Sequence, residues 1–109
     1  MNEKFESTRV AAYYIWDRTQ CDDALALWYA VEDIATFFKK SNILNAAIIG
    51  GIKEIGKEKE AYRWFIRHIA YRIYIYTGNE YELENWFLAE YLVESEEWIE
   101  QIIQLANLI

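Results

Sequence analysis

Apolar residues recur along this chain at steps of three and four, the spacing that turns one side of an α-helix toward a core. Within 58–76 they fall at Tyr62, Phe65/Ile66, Ile69, Ile73 and Tyr76. The next stretch repeats the spacing at Leu83, Trp86/Phe87 and Val93, with Glu90 inside the stripe. Thr77-Gly78-Asn79 separates the two. Gly78 can take the left-handed conformation that ends a helix, and Asn79 can cap the next one, with Glu82 three residues on. Two helices joined by so short a turn pack antiparallel as an αα-hairpin.

The same pattern occurs earlier, at an offset of 58 residues without gaps. Arg9 falls on Arg67, Ala12 on Ala70, Tyr13 on Tyr71, Ile15 on Ile73, Thr19 on Thr77, Leu25 on Leu83, Trp28 on Trp86 and Glu32 on Glu90. Trp16 meets Tyr74, Tyr29 meets Phe87 and Ile34 meets Leu92. Eight identities over the 24 positions from Arg9 to Glu32, a Trp pair among them, point to an internal duplication. The first copy is expected as helices over 6–19 and 23–40, with Asp22 as cap. A further helix is expected after each hairpin, from Ser41/Asn42 to about Gly56 and from Ser95-Glu96-Glu97 to the C-terminus. Lys53–Glu60, charged and containing Gly56, reads as the connector. The fold expected is all-α, one domain over 1–109. It is a six-helix bundle of two pseudo-symmetric repeats (about 3–52 and 58–109), each an αα-hairpin plus a further helix.

Composition sharpens this picture in two ways. Proline is absent, which favours long helices and short turns, and 109 residues suffice for a single core. Five Trp and nine Tyr are more aromatic surface than so small a domain hides, so part of it is expected against another chain. The lone Cys21 excludes an internal disulfide and fits a reducing compartment. No stretch reaches about 18 uncharged apolar residues, and the polar start is no secretory leader, so a soluble, cytoplasmic chain without membrane contact is expected.

Charge is lopsided. The net charge is −7, yet no Lys or Arg follows Arg72, and the remaining 37 residues carry eight Glu. Such a segment repels phosphate, which argues against direct binding of nucleic acid and leaves a basic protein as a possible partner.

The run Ile66-Arg67, Ala70-Tyr71, Ile73-Tyr74, Thr77-Gly78, then Trp86-Phe87-Leu88-Ala89-Glu90 resembles a bacterial family, domain of unknown function 2934. There a helix with an Ala-Tyr and an aliphatic-aromatic pair precedes a Gly turn and a Trp-x-x-Ala-Glu helix. The resemblance covers roughly residues 64–94, with a degenerate copy at roughly 6–36, where Gln20 replaces the turn Gly and Val31 the Ala. It implies no activity.

Candidate chemistry is sparse. Glu32 and Glu90 each sit one turn after a Trp in an apolar stripe, where an unpartnered carboxylate is costly. Arg9 and Arg67 are the expected partners, giving two equivalent structural clasps, Arg9–Glu32 and Arg67–Glu90. A carboxylate-bridged metal site in a helical bundle wants Glu-x-x-His on facing helices, and the chain has only His68. No metal or other cofactor is expected. Asp22 and Asp23 directly follow Cys21 and disfavour a nucleophilic thiolate, and Gly50-Gly51 and Gly56 belong to no phosphate-binding loop. The chain is expected not to be an enzyme. Helix 58–76 carries a second apolar line, Ala61, Trp64, Tyr71 and Ile75, expected at an interface together with Glu94, Glu97 and Trp98. The expected function is a protein-protein interaction module, a homodimer that binds a partner protein through an aromatic helix face. The alternative is a small acidic inhibitor or nucleic-acid decoy, of a kind a phage could encode, that occupies a basic site on its target; an enzyme or a cofactor-binding bundle that holds a pigment or hydrophobic ligand is a third.

Overall fold

In a computed structural model, residues 3–41 and 60–109 are described, the side chains of Ala61 and Tyr62 aside. They form five helices: α1 (Glu3–Thr19), α2 (Ala24–Lys40), α3 (Glu60–Thr77), α4 (Glu82–Glu94) and α5 (Glu96–Leu108). There is no strand among the described residues. The helix expected from Ser41/Asn42 to Gly56 and most of the Lys53–Glu60 connector lie outside them.

The helices pair as the 3.6-residue spacing dictates. α1 with α2 and α3 with α4 make the hairpins, α2 packs on α3 to join them, and α5 lies against α1, α2 and α4. The whole measures 34 × 34 × 20 Å, about two helix diameters thick. From α3 the core takes Phe65, Ile66, Ile69, Ala70 and Ile73. From α5 it takes Trp98, Ile99, Ile102, Leu105 and Ala106. α1 approaches α5 through small side chains, Ser7, Thr8 and Ala11, with Ile15 a turn further. Their hydroxyls stay satisfied, Ser7 Oγ donating to Gln104 Oε1 at 3.2 Å and Thr8 Oγ1 to the Lys4 carbonyl at 2.7 Å.

The two hairpin turns use one device. Thr19 and Thr77 each donate Oγ1 back to the carbonyl four residues earlier, on Ile15 (2.9 Å) and Ile73 (2.7 Å). The same oxygens accept the main-chain N–H of Cys21 (3.2 Å) and Asn79 (3.3 Å). The residue between has positive φ in both turns, +72° at Gly78 and +54° at Gln20. Gly adopts this conformation without cost; Gln20 sits there with its side-chain amide donating to the carbonyl of Asp17 and to that of Trp16, which also accepts the main-chain N–H of Gln20.

Two expected caps shift. Asp23, not Asp22, caps α2, its Oδ1 accepting the Ala26 N–H at 3.0 Å. α4 begins two residues later than an Asn79 cap requires, with Tyr81 as cap residue and no side-chain cap bond. Asn79 is used otherwise: Asn85 Nδ2 donates to its carbonyl at 2.7 Å, and its own Nδ2 donates to Asn85 Oδ1 at 3.0 Å. Ser95 caps α5 as expected, accepting from the Trp98 N–H.

Candidate functional site

Each hairpin carries a cleft between its two helices. In the second, Arg67, Ala70, Tyr71 and Tyr74 of α3 face Asn85 and Trp86 of α4, and Glu80 and Glu82 close the turn end; the cleft encloses about 600 Å³. The cleft of the first hairpin, about 340 Å³, is lined by Arg9, Ala12, Tyr13 and Trp16 of α1 and by Leu27 and Trp28 of α2, with Cys21, Asp22 and Ala24 at the turn. Every residue lining the second cleft has its counterpart, 58 positions earlier, lining the first.

The spacing explains the arrangement. Arg67, Tyr71 and Tyr74 lie four and three residues apart, one stripe of α3 beside its buried stripe. Tyr71 and Tyr74 stack loosely at 6.4 Å and 41°, and Tyr13 and Trp16 repeat the contact at 5.8 Å and 39°. Both leading tyrosines are exposed to the same degree, Tyr13 57% and Tyr71 58%. The second helices agree as well: Leu25, Leu83, Tyr29 and Phe87 are exposed, and Trp28 and Trp86 half-buried.

The clefts differ in charge and floor. Glu6 holds Arg9 at 3.0 Å and raises its pKa through that hydrogen bond. The residue at the corresponding place on α3 is Trp64, and Arg67 makes no ion pair among the described residues. Leu27 gives the first cleft an apolar floor. Its counterpart Asn85 is buried and tied to Asn79, so the second floor is polar.

The expected site residues distribute unevenly. Trp64, Tyr71 and Ile75 lie on an exposed face of α3, so the second apolar line is a surface and not a central helix. Trp98 is corrected: it is fully buried, 6.3 Å from Phe38 and edge-on to it, and belongs to the core rather than an interface. Glu94 and Glu97 are exposed, and Glu97 accepts the Tyr14 hydroxyl hydrogen, which ties α5 to α1 and pushes Tyr14 up to about 12. The clasps take a different form from that expected. Arg9 pairs with Glu6 on its own helix, where exposed partners three residues apart meet without desolvation, and not with Glu32. Arg67 lines its cleft, and Glu90 is half-buried with contacts of its own.

His68 lies between Phe37 (5.2 Å, stacked) and Trp64 (4.5 Å). Burial, with Arg72 and Arg67 nearby, lowers its pKa. Among the described residues no three His, Cys, Asp or Glu gather as a metal site, and no helix is long and apolar enough to cross a membrane.

The paired clefts were not anticipated from sequence, although half of the identities between the copies (Arg, Ala, Tyr and Trp) line them. Comparison with protein-family models, curated proteins and solved structures gives no match.

Proposed function

We propose that the chain is a non-enzymatic protein-protein interaction module of two pseudo-symmetric hairpin repeats, self-associating and binding a partner protein through the aromatic faces of its hairpins. One observation carries this reading: the same cleft, with exposed rings on one wall and a Trp on the other, is presented twice. Core positions need not match between copies, because any apolar residue of suitable size fills them. Exposed Tyr and half-buried Trp repeated at equivalent positions are what a binding surface requires, and these residue types dominate interface hot spots. The likeness to domain of unknown function 2934 belongs to the same proposal. Of its residues, Ile66, Ile73, Leu88 and Ala89 are core, Arg67, Tyr71, Tyr74 and Trp86 line the cleft, and Ala70 belongs to both.

The test is capture from the source organism's extract on the immobilised chain, with Tyr13→Ser/Trp16→Ser and Tyr71→Ser/Tyr74→Ser as comparators of unchanged helicity. A protein retained by wild type and lost from a face variant supports the module. Retention indifferent to all four substitutions, or no specific retention, overturns it.

A further inference from the structure

Resting on that reading, we infer that the cleft of the second hairpin docks on the same cleft of a second copy, about a two-fold axis. The cleft is a dipolar surface. Arg67 stands at one end and Glu80 and Glu82 at the turn end. Seven residues of α3, about 10 Å of rise, separate Arg67 from Tyr74. Between the charges lie the rings of Tyr71, Tyr74 and Trp86. A face with a cation at one end, acids at the other and an apolar middle is its own complement: rotated by a half turn, the guanidinium of each copy meets the acids of the other, and rings meet rings. A two-fold contact forms both pairs at once and closes without further growth.

The first hairpin has these means only in part, with Asp22 the one acid lining its turn end. Its Arg9 is already bound to Glu6, Ala24 stands where Glu82 would, and its cleft is smaller. Self-pairing therefore selects the second hairpin and leaves the first outward on each copy, so that a dimer offers two open aromatic clefts. The face shared by the two helices is about 20 Å long, the length of α4, and two helices wide, so it covers about 400 Å² per copy, or about 800 Å² in all. That is the size of a weak, transient interface, so the dimer depends on concentration.

Sedimentation equilibrium of the full chain from low to high micromolar concentration tests this. Wild type should pass from the 13.1 kDa monomer to twice that mass. Arg67→Glu and the double variant Glu80→Arg/Glu82→Arg should each weaken association at least tenfold, with unchanged circular dichroism. An equimolar mixture of the two should regain the dimer mass, and Arg9→Glu should dimerise as wild type. A wild-type monomer at every concentration overturns the proposal, as does a dimer that survives both charge variants or a mixture that stays monomeric. A monomer at every concentration also removes self-association from that reading, whereas its partner binding is tested apart from these outcomes, by capture on the Tyr13/Trp16 face.

Discussion

Tyr76 of α3 donates its hydroxyl hydrogen to Oδ2 of Asp33 on α2 at 3.1 Å, a bond that joins the two hairpins. The other oxygen of that carboxylate is 3.5 Å from Nε of Arg72, an ion pair without hydrogen-bond geometry, and the Arg72 guanidinium lies 4.4 Å above the Phe37 ring. Moving both positions by the repeat offset, Tyr76 becomes Arg18 and Asp33 becomes Tyr91. Arg18 stacks on the Tyr91 ring at 3.8 Å. Equivalent positions thus meet across the junction twice, once as ring and carboxylate and once as cation and ring.

Tyr76→Phe keeps the packing and removes the bond, so it should cost about 0.5–1.5 kcal/mol in urea unfolding. The acceptor is charged, so a double-mutant cycle with Asp33→Asn should show clear coupling. Strictly additive losses would mean that the bond does not hold the hairpins together.

His68 supplies a pH test. Its pKa is held below 6.5, chiefly by burial between Phe37 and Trp64 and then by the charges of Arg72 and Arg67. The unfolded chain therefore binds a proton at a pH where the folded chain does not, and stability rises with pH in that window. Between about pH 7 and pH 5, acidification should destabilise the protein. His68→Gln should flatten that part of the profile; an unchanged slope in the variant would assign it to other groups.

The fold was legible where periodicity alone decides it. The stripe Phe65, Ile66, Ile69 and Ile73 became core, and the line Trp64, Tyr71 and Ile75 stayed outside, because a helix has only one side to bury in a slab two helices thick. What misled was reading equivalence as contact. Arg9 and Arg67, Glu32 and Glu90 are identical across the copies, yet identity fixes a position, not a partner. Arg9 found Glu6 one turn away, while Arg67, with Trp64 in that place, turned to the cleft. The clefts themselves could be assembled only once both helices of each hairpin were in register. Trp98 is buried although Glu96, Glu97 and Glu100 surround it in the chain. The steps from Trp98 to Ile102, Leu105 and Ala106 already marked the buried side of α5.

The turns make a paired prediction. An added Cβ at Gly78 meets nothing within 4 Å, so Gly78→Ala is opposed by backbone conformation alone and should cost about 1 kcal/mol. At Gln20 the reverse exchange releases left-handed strain but loses the bonds to Trp16 and Asp17 and adds unfolded-state freedom. Gln20→Gly should therefore leave the melting temperature nearly unchanged. If Gly78→Ala were equally silent, the φ of that turn would not be the constraint it is taken to be.

Trp98 separates shape from polarity in the core. Its side chain is fully buried, and its indole Nε1 has no hydrogen-bond partner among the described residues. A buried donor without an acceptor gives up its hydration and gains nothing in return, a penalty of about 1–3 kcal/mol. Trp98→Phe removes that penalty and leaves a cavity smaller than a full side chain, so the two effects oppose each other. Trp98→Ala removes the same donor but opens the centre of the core next to Phe38, where large-to-small exchange costs about 3–5 kcal/mol. Chemical denaturation should thus place Trp98→Phe within about 1.5 kcal/mol of wild type and Trp98→Ala well below both. Equal, severe losses in the two variants would show that the indole N–H is satisfied after all and contributes to stability.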